Sequence, residues 1–142
     1  MEANGKRMDK FGGVVMGLDV QRKRVYDPPT ADDGKRVLVD RLWPRGIKKE
    51  AAAIDAWLRD VAPSPALRKW FCHKPELFPE FRARYEAELV HDPLHREQLD
   101  QLCAWAQTGR VTLVYAAKDP VHNHVVVLQD VLMRWGGETS ES

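Results

Sequence analysis

The chain has 142 residues, 44% of them hydrophobic and 30% charged, the proportions of a single soluble domain built on one core. A formal net charge of only +1 excludes a polyanion binder that works through overall charge. With no apolar run long enough to span a bilayer and no basic-then-apolar N-terminus, neither a membrane helix nor a secretory signal is expected.

Charge is unevenly distributed. Residues 1–49 carry twelve Lys and Arg against seven Asp and Glu, and residues 50–142 carry ten against fourteen. This asymmetry favours an anionic ligand near the first half. The two cysteines, Cys72 and Cys103, match no metal-ligand spacing; they are expected to be free buried thiols of a protein kept in the reducing cytoplasm.

In chain order, residues 1–13 are polar and are expected to form a disordered leader, with a single α/β domain over 14–137 and a frayed tail over 138–142. A strand is predicted within Met16–Tyr26. Its run Arg22-Lys23-Arg24 marks a sheet edge, where charge discourages pairing with other chains. Asp27-Pro28-Pro29 stops it, because neither proline can donate to a ladder, and Thr30 to Gly34 forms a turn. Arg36–Asp40 is a second strand whose unalternated apolar run suits burial on both faces, as in a parallel sheet.

Ile54, Trp57, Leu58 and Val61 recur at helical spacing and predict a helix over Lys49–Asp60. Ser64-Pro65 is a helix start, with serine as the cap and proline in the first turn; that role, rather than nucleophilic chemistry, accounts for Ser64. The adjacent Cys72-His73 is not the arrangement of a nucleophile and its base. Pro75 opens a helix to about Val90 with Phe78, Phe81, Tyr85 and Leu89 inward. Asp92-Pro93 opens another with Leu99, Leu102, Cys103 and Ala106 inward, capped by Gly109. Val111–Ala116 is a third strand as apolar as the second. A polar loop follows, then a last helix carrying Val121, Val125, Leu128, Leu132 and Trp135 and ending at Gly136-Gly137.

If the second and third strands are parallel neighbours, the long crossover between them brings both C-terminal ends to one edge. Open α/β sheets bind their ligands at such edges. There the sequence gathers Asp40, Arg41, Trp43 and Arg45 with Tyr115, Lys118, Asp119, His122, Asn123 and His124. The guanidiniums, the lysine and the last helix's N-terminus suit a phosphate or carboxylate. Trp43 offers a stacking surface, or packs beneath its loop with its N–H on a backbone carbonyl. Asp40 and His124 are the acid/base candidates. For His122-x-His124 to hold a metal, a third ligand such as His73 or Asp40 would be needed, and no metal is predicted. No glycine-rich phosphate loop or dinucleotide fingerprint names a cofactor.

Four stretches carry a family resemblance: Arg24-Val25-Tyr26-Asp27-Pro28-Pro29, Arg36-Val37-Leu38-Val39-Asp40-Arg41-Leu42-Trp43-Pro44-Arg45-Gly46-Ile47, Leu67-Arg68-Lys69-Trp70-Phe71, and Leu113-Val114-Tyr115-Ala116-Ala117-Lys118-Asp119 with His122-Asn123-His124. In these the chain resembles the YeaO-like family, bacterial domain-of-unknown-function proteins of small size and cytoplasmic location. The resemblance covers about residues 22–135 and implies a compact α/β fold without an established activity. A wider branch of that superfamily carries a Cys-His-Arg motif where this chain has Asn123-His124-Val125, so of the family's chemistry only Asp40 and His124 carry over as candidates.

The expectation is therefore a small, mostly parallel sheet of three or more strands with flanking helices, Rossmann-like in its three layers. Asp40 and His124 are the candidate catalytic pair, with Arg41, Trp43, Arg45, Tyr115, Lys118 and Asn123 as ligand contacts. The expected partner is a small phosphorylated or nucleotide-like anion, with hydrolysis or transfer as the matching chemistry. The alternative is a non-catalytic nucleic-acid or protein-binding module using Arg22–Arg24, Lys35, Arg36, Lys48 and Lys49.

Overall fold

The computed structural model describes residues 18–138, with side chains to 135, together with two short strands, β1 (Arg7–Met8) and β2 (Val14–Val15), which pair antiparallel. The rest of the expected leader, and of the tail beyond Glu138, lies outside the described residues. The central sheet comprises β3 (Val20–Arg24), β4 (Lys35–Leu38), β5 (Ala56–Trp57) and β6 (Val111–Tyr115). All three pairings are parallel, in the order β3-β6-β4-β5. β4 and β6 are neighbours, with Val37 opposite Leu113 and Leu38 opposite Val114, so the adjacency on which the expected site depends is present. β3 lies at an edge.

Side-chain alternation divides the two central strands between two cores. Val37 and Val39 of the β4 segment and Val111, Leu113 and Tyr115 of β6 face the larger one. It is closed by α2 (Pro65–Phe71), α3 (Phe78–His91), α4 (Pro93–Thr108) and α5 (His124–Glu138). Leu38 and Val114 face the smaller core with Val25 and Ala52, and Trp43, Ile47, Ile54 and Trp57 pack against it. The second face is thus covered by one short helix, α1 (Lys49–Ala52), and the loop before it. The layering is α/β as expected but lopsided.

The helix expected over Lys49–Asp60 is the main correction. It stops after one turn, at Ala53, which adopts the left-handed region with φ 51°. Asp55 then joins the sheet: its N–H donates to Arg36 O (2.8 Å), and its carboxylate accepts the Arg36 N–H (2.8 Å). Leu58 N–H donates to Leu38 O at 2.9 Å. Trp57 faces the smaller core while Ala56 and Leu58 pack on the larger. The four positions that read as one helical stripe are thus divided between two cores, Ile54 and Trp57 on the smaller and Leu58 and Val61 on the larger.

Smaller differences follow from local chemistry. Val121 precedes α5 and is exposed, because Asn123 supplies the cap three residues later than the periodicity suggests. The helix runs through Gly136-Gly137 to Glu138. Cys72 is exposed rather than buried, since it caps the C-terminus of α2; Cys103 is buried, and both are free. Gly34 enters β4 with φ 65°, and a Cβ there would stand 2.4 Å from Arg110 O, so this turn requires glycine. Among the described residues, no helix is long and apolar enough to cross a membrane.

Candidate functional site

Because all four strands of the sheet are parallel, their C-terminal ends share one edge, and the loops leaving them are tied together around Asp40. The Asp40 carboxylate accepts the Ala116 N–H at 2.9 Å, joining the end of β4 to the end of β6. The Trp57 indole N–H donates to Asp40 O at 2.7 Å, adding the end of β5. From β3, Arg24 donates to Ala117 O (2.9 Å) and Ala116 O (3.2 Å). His124, the first residue of α5, donates through Nε2 to Val39 O at 3.0 Å and stands 3.5 Å from the Asp40 carboxylate. A carbonyl only accepts, so Nε2 carries the proton.

Burial sets the electrostatics of this pair. It raises the Asp40 carboxyl above the ordinary range, against the opposing pull of His124, the Ala116 N–H and Arg68. It lowers His124 below the ordinary histidine range, against Asp40 and the Val39 carbonyl, with Arg68 acting in the same sense as burial. Both groups are therefore driven toward their neutral forms. Tyr85 closes the pair from beneath, its ring edge-on to His124 at 6.0 Å and its hydroxyl donating to Val61 O at 2.5 Å.

Above the pair opens a cleft of about 590 Å³, bounded by the 40–45 loop, residues 62–63, and 116–119. A second lobe of about 350 Å³ continues past Arg68, His73 and His124, which line both. Its apolar floor is Phe71, Phe81, Pro63 and Pro65. The size range is that of small-molecule sites. Arg45, Arg68 and Lys118 are exposed at the larger lobe and, among the described residues, pair with no carboxylate.

The expected residues divide into those free to meet a ligand and those committed to the fold. Arg45 and Lys118 are in the first group. Arg41 lines the cleft, but its guanidinium already donates to Ala62 O (3.0 Å) and Pro63 O (3.3 Å) and sits 3.6 Å from Asp60. Trp43 packs edge-on to Trp57 at 5.5 Å and donates its N–H to Ile47 O at 2.7 Å, the packing alternative of the two read from sequence. Asn123 caps α5, accepting from Val125 N and Val126 N and donating to Asp119 O. Asp119 accepts from Val121 N, His122 N and the His122 ring, contacts that lower its carboxyl to about 2, the His122 N–H first. Tyr115, expected as a ligand contact, is turned by its strand parity into the larger core, 4% exposed and outside the lining of both lobes.

The sequence pointed to His73 only as a possible third metal ligand, and to Arg68 not at all as a site residue. Both come from α2 and the turn after it, a third segment meeting the sheet edge. Cys72 and His73, with φ 48° and 57°, turn the chain back toward the cleft. The dipeptide Cys72-His73, followed by Lys74-Pro75, was the available signal for a tight turn. Ser64 is a cap, as read: its Oγ accepts the Leu67 N–H and donates to Glu88 at 2.5 Å. Among the described residues, no group of three or more His, Cys, Asp or Glu is arranged to hold a metal ion.

The basic run lies on the edge strand β3, as expected, and its side chains bond within the chain. Arg22 donates to Gln129 and Pro120 O, Lys23 to Asp33 and Pro28 O, and Arg24 to the β6 loop. Arg36, 3% exposed, donates to Asp33 and Ala52 O. Lys35 lies over the Trp105 ring at 4.8 Å.

A family model described as the inactive DUF488-N3 subclade matches residues 19–140. The uncharacterized protein YeaO of Escherichia coli K12 is 44% identical over 115 residues, 81% of this chain and 97% of that protein. The uncharacterized protein Rv3073c of Mycobacterium tuberculosis is 45% identical over 121 residues, 84% of this chain and 98% of its own. The uncharacterized protein Mb3100c of Mycobacterium bovis is similar to the same extent. No solved structure matches significantly.

Proposed function

The chain belongs to the YeaO-like family, within the inactive DUF488-N3 subclade, and from that footing we propose that it binds a small phosphorylated or nucleotide-like anion in the cleft at the C-terminal edge of its sheet. The observation that carries this reading is the convergence of Arg45, Arg68 and Lys118 on one concave site without carboxylate partners among the described residues. Unpaired cations in a concave setting concentrate field and favour anions. Asp40 and His124 form the floor, and their hydrogen bonds to Ala116 N and Val39 O hold the strand ends on which the cations are mounted.

Hydrolysis or transfer by that pair has less support than binding. Asp40 already accepts a backbone N–H, the His124 Nε2 proton already has an acceptor, and the matching subclade is described as inactive. The nucleic-acid alternative is weakened because Arg22, Lys23, Arg24 and Arg36 are engaged internally, leaving no continuous basic stripe from that run. Calorimetric titration with phosphorylated metabolites and nucleotides tests the reading. Saturable binding that is lost in Arg45→Ala/Arg68→Ala supports it; no binding by any anion, or binding unchanged in the variant, refutes it.

A further inference from the structure

The cleft does not end at its cations. Beyond Arg68 it continues into the smaller lobe, whose floor is aromatic and prolyl rather than charged. Phe71 and Phe81 stack on one another at 4.4 Å and, only 6% and 1% exposed, form a fixed apolar wall of which a small part reaches the lobe beside Pro63 and Pro65. Two imidazoles flank this wall. His73 is exposed, with no hydrogen bond from its ring among the described residues; His122 uses Nδ1 on Asp119 and is held edge-on to Phe78 at 5.4 Å, which leaves Nε2 available. Arg45 and Lys118 line only the larger lobe, while Arg68 stands at the junction. The site is therefore charged at one end and apolar with ring-edge hydrogen-bonding groups at the other.

Resting on the anion reading above, we propose that the ligand is a two-part molecule of the nucleoside monophosphate class. Its phosphate sits among Arg45, Arg68 and Lys118, and its heteroaromatic ring sits against Phe71 and Phe81 between His73 and His122. A sugar phosphate or inorganic phosphate uses only the first half of this site. A free nucleoside uses only the second. The flat ring gains from apolar burial, and its polar edge finds the two imidazoles.

The test is calorimetry of the full chain with the four nucleoside 5′-monophosphates, ribose 5-phosphate and adenosine. At least one monophosphate should bind about tenfold or more tightly than both ribose 5-phosphate and adenosine. In His122→Ala, at a residue that lines only the smaller lobe, the advantage over ribose 5-phosphate should fall while ribose 5-phosphate binding is unchanged. As a check that needs no variant, the His122 ring C–H resonances of the wild-type chain should shift with the monophosphate and not with ribose 5-phosphate. If ribose 5-phosphate matches every monophosphate within about twofold, the ring half is overturned and the anion reading stands. If adenosine matches the monophosphates, or no phosphorylated probe binds, both fall. Retention of the monophosphate's advantage in a folded His122→Ala variant, with unmoved His122 resonances in the wild type, also overturns the proposal.

Discussion

The Arg36 side chain shows how a residue's chemistry is decided by its surroundings. By sequence it belongs to a basic stretch; in the fold it is buried and bonded to Asp33 at 2.7 Å and to Ala52 O at 2.8 Å. Burial alone would raise the Asp33 carboxyl, but the Thr30 N–H, Lys23, Arg36 and the Thr30 hydroxyl together hold it well below the usual range. A depressed folded value means stability that is complete above about pH 4 and is lost as the pH falls through the folded value. Arg36→Ala should cost roughly 3–5 kcal/mol by leaving a buried carboxylate short of a partner, measured by urea unfolding at neutral pH; a cost within experimental error would contradict this. His124 carries the opposite lesson. Burial lowers it, so its contribution is complete above about pH 6.5 and is lost as the pH falls through its folded value. Nitrogen-15 imidazole spectra should show a neutral Nε2–H ring at pH 7 and protonation only below the ordinary histidine range. Titration at the ordinary value would refute the assignment. Asp40 and His124 were legible because a strand end and a helix start locate them. Arg68 and His73 were not, because nothing in a helix's own periodicity says which sheet edge its C-terminus will reach.

At the scale of elements, the sequence resolved strands best where both faces are buried and helices best where a cap is explicit. Val37-Leu38-Val39 and Leu113-Val114-Tyr115 stand out as apolar runs in β4 and β6 and just beyond, and α2 and α4 begin at Ser64-Pro65 and Asp92-Pro93, with both polar caps made. β5 was missed because two residues are too few to display alternation. Its identity comes from Asp55 and Leu58 pairing with β4, a contact between segments nearly twenty residues apart. The turn into β4 has a sharper constraint than its sequence suggests. Gly34→Ala should destabilise by more than about 1 kcal/mol, from the positive φ and the clash with Arg110 O. Gly109→Ala should cost far less, since Gly109 is extended and a Cβ there meets nothing within 4 Å. Thermal unfolding of the two variants compares them directly, and equal losses would contradict the account.

For the molecule as a whole, a lopsided sheet places its function at an edge. Four helices load one face, a thin cover of loop and one short helix closes the other, and neither face offers the convergence of charge found where the strands end. The net charge of +1 conceals this arrangement, because much of the N-terminal basic excess is spent on internal hydrogen bonds while Arg45, Arg68 and Lys118 stay unpaired among the described residues. Parallel adjacency of β4 and β6 was the one inference from sequence on which the site depended, and it holds because Val37-Leu38 and Leu113-Val114 bury apolar side chains on both faces and a long helical crossover joins the strands. The most direct measurement is calorimetric titration of the wild-type chain and of Arg45→Ala/Arg68→Ala with phosphorylated metabolites and nucleotides at fixed moderate salt. The account predicts saturable one-site binding to the wild type, weakened about tenfold or more in a variant that unfolds at the same temperature. Equal affinity in the two proteins, or no binding to either, would contradict it.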